Sequence, residues 1–119
     1  MNEHDATLAR ELAEFLEELG ATKPVALDVS DNSSFANCLV LAGAESQAQL
    51  RGYYRRVHEE IEQRGLQARG SAKRSDESGW LIVDMVTVIV HLMLREQREF
   101  YDLERLWYDA TRLHPPADA

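Results

Sequence analysis

The period of the hydrophobic positions changes several times along the chain, and each change predicts an element. From Ala6 to Leu19, Leu8, Leu12, Phe15 (or Leu16) and Leu19 fall at helical spacing, with glutamates on the opposite face. That pattern predicts an amphipathic helix, with Asp5 placed to cap its start and Gly20 to end it. After Pro24 the period drops to two. Val25, Leu27 and Val29 alternate with Ala26, Asp28 and Ser30, which predicts a half-buried strand. Asp31 to Ser34 is a turn cluster. Cys38 to Ala42 is a short apolar run closed by Gly43 and predicts a second strand. Ser46 followed three residues later by Gln49 fits a capping box. Leu50, Tyr53 (or Tyr54), Val57 and Ile61 then predict a second helix to about Arg64, ended by Gly65. Gly52 weakens that helix by roughly 1 kcal/mol relative to Ala. Residues 69–79 are polar and rich in Gly and Ser, and predict a mobile loop after a short strand near Leu66 to Ala68.

The densest apolar block is Trp80 to Leu94. Asp84, Thr87 and His91 sit at helical spacing, so a buried helix with one polar stripe is conceivable. Seven of the 15 residues are β-branched, which favours strands. A single strand of that length is unusual, so two strands with a tight turn at Met85-Val86 fit better. Such a hairpin sets Asp84 opposite Thr87, Ile82 opposite Ile89 and Trp80 opposite His91. One face then carries Trp80, Ile82, Asp84, Thr87, Ile89, His91 and Met93. The other carries Leu81, Val83, Val88, Val90, Leu92 and Leu94, all aliphatic. The aliphatic face belongs against the helices, and the mixed face is the candidate for solvent or a partner. A last helix is predicted over Glu99 to Ala110, with Phe100, Leu103, Leu106 (with Trp107) and Ala110 as its apolar stripe. Pro115-Pro116 stop any continuation.

At 119 residues, 45% hydrophobic and 29% charged, the chain is one globular domain's worth. Its ordered core is expected over about residues 6–111, with a disordered tail over about 113–119. The N-terminal stretch has no basic region followed by an apolar run, so no secretory leader is expected. The apolar block is too short and too polar to span a bilayer. A cytoplasmic protein is therefore the expectation. The net charge of −8 is uneven: Glu3, Asp5, Glu11, Glu14, Glu17, Glu18, Asp28 and Asp31 precede residue 32 against only Arg10 and Lys23. Such acidity disfavours direct nucleic-acid binding and allows a basic protein partner.

Catalytic signals are sparse. Nucleotidyl transfer needs clustered carboxylates, yet Asp28 is followed by Val29-Ser30 and no Gly-Ser precedes it. Asp28 and Asp84 are the best metal candidates, and a structural role is favoured for both. The histidines His4, His58, His91 and His114 are scattered. A Cys38–His91 nucleophile pair lacks an orienting group, and Cys38 itself is expected as a small buried hydrophobe. No cofactor is expected. Trp80, Tyr101, Trp107 and Tyr108 cluster near the predicted mixed face, and Trp and Tyr dominate protein interfaces. Trp107 lies on the helix stripe, so Trp80 and Tyr101 are the better candidates.

Several of these segments resemble one known family. They are V-A-L-D-V, S-S-F-A-N-C, W-L-I-V-D, V-I-V-H-L-M and above all R-E-F-Y-D-L-E-R-L-W-Y-D-A. Together they are similar to the ribosomal silencing factors, also called the Iojap family, from about residue 8 to 111. The resemblance implies an α/β domain, a mixed sheet with flanking helices, distantly similar to the nucleotidyltransferase fold without its catalytic residues. It also implies a translational repressor and not an enzyme. Such a protein binds the large ribosomal subunit through ribosomal protein fourteen at the intersubunit face and sterically blocks the small subunit. Trp80 and Tyr101 stand at the family's interface Trp and Tyr. Ile82, His91, Met93, Leu103 and Glu104 are added from the predicted face or by adjacency. A degenerate nucleotidyltransferase using Asp28 and Asp84, and a self-associating homodimer, are the alternatives. Three motifs depart from the family. Asp84-Met85-Val86-Thr87 replaces Asp-x-Gly-Asp, Ala42-Gly43-Ala44-Glu45 replaces Thr-Gly-Thr-Ser, and Lys73-Arg74 stand where Glu-Gly is usual.

Overall fold

The computed structural model describes residues 3–31, 36–69, 79–101, 105 and 110–115, for 100 and 101 the backbone only. In chain order it has α1 (Glu3–Leu19), β1 (Thr22–Asp28), β2 (Cys38–Ala44), α2 (Gln47–Gln63), β3 (Trp80–Asp84), β4 (Val88–Leu94), α3 (Arg95–Tyr101) and β5 (Thr111–His114). The five strands form one mixed sheet in the order β3-β4-β2-β1-β5. Only β2 and β4 are parallel; β1–β2, β1–β5 and β3–β4 are antiparallel.

The centre is β2, C-L-V-L-A-G-A, every residue of which is buried. A strand with no charged side chain can be covered on both faces, as a parallel pairing requires. Two apolar clusters result, one per face. On one face Ala26, Cys38, Val40, Ala42, Leu81, Val83, Val88, Val90 and Leu92 pack under Leu8, Leu12 and Leu16 of α1 and Leu50, Val57 and Ile61 of α2. On the other, Leu27, Val29, Ala36, Leu39, Leu41, Ile89 and Met93 gather with half-buried Val25, Trp80 and Ala110. β1 is thus buried on both sides and is not the half-buried strand its alternation predicts. Gly43 lies within β2 opposite Thr22 and does not end it. A Cβ at Gly43 would sit 3.2 Å from the Thr22 Cβ, so the close pairing favours glycine.

Local signals set most helix ends. Gly20 has φ 95°. The Gly20 N–H bonds to Glu17 O (3.0 Å) and the Ala21 N–H to Leu16 O (3.0 Å), closing α1 in a Schellman motif. Ser46 caps α2 by accepting from the Gln49 N–H (3.1 Å). The Gln49 side chain accepts from the Glu45 N–H (3.0 Å), one residue before the donor a capping box uses. Asp5 is no cap. α1 starts at Glu3, and the buried Asp5 carboxylate accepts from Asn37 Nδ2 (2.9 Å), tying the first turn to the segment before β2. α3 starts at Arg95, directly off β4 and four residues before the predicted start. Beyond Tyr101 residue 105 is again helical among the described residues, and Leu103, Leu106 and Trp107 lie outside them.

Two predicted loops contain pairing. The expected tail from 113 contributes to β5, which pairs with β1 through Ala26↔His114, Leu27↔Arg112 and Asp28↔Thr111. His114 Nε2 lies 2.9 Å from Glu17 Oε1 of α1, and His114 is buried. β1 would otherwise leave a row of unpaired backbone groups at the sheet edge, which β5 satisfies. The predicted short strand near Leu66 to Ala68 is reduced to one bridge, Arg69↔Asp84. The polar segment 70–78 lies outside the described residues.

The hairpin forms with a register different from the one predicted. Trp80 pairs with Met93, Ile82 with His91 and Asp84 with Ile89. The loop is Val86-Thr87, closed by the Met85 N–H on Val88 O (3.0 Å). Moving the turn by one residue moves each partner by two, so the two faces keep the predicted membership. Val86 has φ 77°, and the Thr87 N–H bonds to Met85 O (2.9 Å), a γ-turn of the rare positive-φ kind. A β-branched residue is strained there. The side chain of Asp84 supports the turn by accepting from the Val86 N–H (2.8 Å). Val86 is half exposed and outside both clusters. Val86→Gly is therefore expected to stabilise the domain by about 1 kcal/mol, seen as a higher urea midpoint with unchanged slope.

Candidate functional site

The mixed face of the hairpin divides at the boundary between β3 and β4. β3 is at one edge of the described sheet, so apart from the Arg69 bridge at Asp84 its residues have a described neighbour on one side only. Ile82 is 49% exposed, one of two large exposed hydrophobic residues among the described residues, the other being Val86 at 50%. Trp80 is half-buried and leans on the second apolar cluster. His91 stands opposite Ile82 and diagonal to Trp80. The indole N–H of Trp80 donates to His91 Nδ1 at 3.0 Å, with ring centroids 5.9 Å apart. An Nδ1 that accepts carries no proton, so the imidazole is neutral and protonated at Nε2. Burial pulls the His91 pKa down to about 4, opposed by the charge of nearby Asp84. Trp80, Ile82 and His91 thus form a fixed apolar-aromatic platform in which the indole N–H and the imidazole Nδ1 satisfy each other.

Met93 does not join it. Met93 is fully buried and Ile89 nearly so. β4 is an interior strand, and Met93 lies between Gly43 of β2 and Trp80 of β3. It supports the platform from beneath and is not available at the surface. Tyr101 is the last residue described in the continuous run of α3, and its side chain is outside the described set, as are Leu103, Glu104, Trp107 and Tyr108.

Asp84 ends β3 at the rim. Arg69 Nη2 donates to its Oδ2 at 2.9 Å. Burial, the largest single influence, raises the Asp84 pKa, but the Val86 N–H, the Arg69 guanidinium and His91 together outweigh it and hold the carboxyl below its usual range. Nothing in the spacing of the sequence marks Arg69 as that partner. At the other end of the sheet, a cleft of about 410 Å³ is lined by Thr22, Lys23, Gly43, Glu45, Arg95, Arg98 and Glu99. Arg98 is buried there and donates to Thr22 O (2.8 Å), while Arg95 is held by Glu99 (3.3 Å) and Glu45 (3.7 Å).

The catalytic alternatives are separated by the sheet. Asp28 shares a face with Ala26 and Cys38, whereas Asp84 shares one with Ile82 and Trp80. β2 and β4 stand between them, about 14 Å at the usual strand spacing. They cannot hold one ion together. Asp28 is buried and accepts from the Ser30 N–H (3.0 Å) and Oγ–H (2.7 Å), a turn-closing role. Cys38 and His91 also lie on opposite faces. Burial, with Asp28 and Asp5 nearby, pushes the Cys38 thiol up to about 12, which leaves it an unreactive core residue. Among the described residues no group of three or more His, Cys, Asp or Glu could hold a metal.

Comparison with known proteins identifies the family. The family model described as "Ribosomal silencing factor during starvation" matches residues 2–118. A ribosomal silencing factor of Bacillus subtilis is 30% identical over 86 residues, 72% of either chain. A mouse protein named for mitochondrial assembly of the ribosomal large subunit is 53% identical over 32 residues, 27% of this chain and 14% of its own. A crystal structure of a Chromobacterium violaceum protein superposes with a TM-score of 0.75 at 27% identity, covering 90% of this chain and 87% of that one.

The Trp80–His91 bond has a pH signature. His91 is neutral in the fold down to about pH 4, whereas the unfolded chain takes its proton near the ordinary 6.5. The unfolded state binds more protons between those values, so this residue's contribution to stability falls as pH drops from 6.5 toward 4 and is level below. NMR titration is expected to find His91 well below 6.5, and Trp80→Ala, which opens the ring to water, to move it up.

Proposed function

The chain belongs to the family of ribosomal silencing factors, and we propose that it represses translation by binding the large ribosomal subunit and sterically excluding the small one. The observation that carries this is the exposure of Ile82 beside Trp80 and His91, an apolar-aromatic platform on the outermost described strand. An exposed aliphatic residue next to a rigid tryptophan is the usual composition of an interface centre. Exclusion of one large particle by another needs only binding in the right place, so no catalytic group is required. The net charge of −8 suits a basic partner such as ribosomal protein fourteen at the intersubunit face. Tyr101, at the end of α3, belongs to the proposed contact by its place in the R-E-F-Y-D-L-E motif. Leu103 and Glu104 extend it in sequence.

Action on ribosomes places the protein in the cytoplasm under this proposal. No described helix is long and apolar enough to cross a membrane. Self-association through the same platform would compete with the ribosome for Ile82.

Ile82→Arg tests the platform without touching either cluster. It adds a charge that repels a basic partner and should leave the unfolding midpoint near the parent's. Co-sedimentation with large subunits is expected to weaken at least tenfold, with Trp80→Ala showing a loss of the same order. Retention of parental binding by both folded variants would remove this face from the contact. Light scattering over a range of concentrations separates a lost dimer from a lost ribosome contact.

A further inference from the structure

The first half of α2 is basic in an acidic protein. From Gln47 to His58 it carries Arg51, Arg55 and Arg56 and no carboxylate. Arg56 is engaged, lying 5.7 Å over the Phe15 ring and 3.6 Å from Glu59. Arg64, at the end of the helix, is held by Glu11 (2.6 Å) and Glu60 (3.1 Å). Arg51 and Arg55 differ. Both are exposed, they stand one turn apart on the same face, and among the described residues neither makes an ion pair. Two like charges at that spacing destabilise a helix, so the fold gains nothing from them.

Gly52 lies on the surface beside them. A Cβ built there meets nothing within 4 Å, so packing does not require glycine, although glycine weakens a helix. A glycine in open space between arginines lets another molecule's backbone approach the helix closely. Among the described residues the large exposed apolar side chains, Ile82 and Val86, are not on this helix. The face therefore offers guanidinium groups and bare backbone without an apolar anchor, which fits a phosphate backbone better than a protein surface.

The acidity of the chain does not cancel this face. Glu3, Asp5, Glu11, Glu14, Glu17 and Glu18 are on α1, which packs over β1, β2 and β5, while α2 packs over β3, β4 and β2. α1 and α2 lie side by side on one face of the sheet and meet through Arg56 over Phe15 and Arg64 on Glu11, and at helical spacing Arg51 and Arg55 fall on the opposite flank of α2, turned away from the acidic helix. α2 begins directly after β2, at the level where Gly43 and Met93 lie in one row with Trp80. The basic half of α2 and the Trp80 platform therefore flank the same end of the domain, in different layers.

We propose that Arg51 and Arg55 form a second contact surface that binds the phosphate backbone of ribosomal RNA, while the Trp80 platform meets ribosomal protein. The inference deepens the proposed ribosome binding and rests on it only for the identity of the RNA. The test compares the parent with Arg51→Gln/Arg55→Gln, each checked for an unchanged unfolding midpoint. Binding is measured from 50 to 200 mM salt to intact large subunits by co-sedimentation and to protein-free large-subunit RNA by fluorescence anisotropy. Each phosphate contact contributes a little under one to the slope of log affinity against log salt. The parent is expected to lose about tenfold more affinity than the double variant over that range, on both targets. Equal salt slopes for parent and variant would overturn the proposal. So would loss of subunit binding in the variant when neither protein binds free RNA, which would point to an acidic protein partner. If the parent binds RNA through the two arginines but not large subunits, the ribosome proposal fails and the phosphate surface stands.

Discussion

The structure depends on one constraint, that β2 must be covered on both faces. Cys38 to Ala44 offers small and aliphatic side chains only, and all are buried. A strand of that kind is stable only with paired neighbours on both edges and apolar cover above and below. β1 and β4 supply the edges. α1 and α2 cover one side, and the cluster of Leu27, Val29, Leu39, Leu41, Ile89 and Met93 closes the other. Gly43 is part of the same constraint, since it allows Thr22 to approach and brings Arg98 over the strand.

The site follows from distance to that centre. A residue on β4 is enclosed by β2 and β3, which is why Met93 and Ile89 are buried although they alternate with the aliphatic face. A residue on β3 has one neighbour, so Ile82 reaches solvent. Trp80 and His91 span the boundary, and the indole N–H satisfies the imidazole nitrogen that burial would otherwise leave bare. The bond holds the two rings in a fixed arrangement, which is favourable for an interface centre.

The hairpin turn shows how such a platform tolerates local strain. Val86 occupies a positive φ that a glycine would take without cost. The pairing of β3 with β4 and the Asp84 carboxylate on the Val86 N–H hold it there. The strain sits at the tip, two residues beyond the last described pair, and leaves the register of Ile82 and His91 intact.

The sequence by itself determined the elements near the centre and the two faces of the hairpin. The alternation from Leu81 to Leu94 sorts residues by parity, and parity survives any shift of partners by two. The faces were therefore legible although Trp80 pairs with Met93 and not with His91. The Schellman end of α1 and the Ser46 cap were legible because they use groups within a few residues of each other. Trp80 and Ile82 as surface residues were legible from the same parity. Other features depended on groups far apart in the chain. Burial of Met93 needs Gly43 and Trp80, the place of Asp5 needs Asn37, and β5 needs the open edge of β1. Separation of Asp28 from Asp84 needs two intervening strands. Only the tertiary structure decided these, because local period records which way a side chain points and carries no information about what lies there.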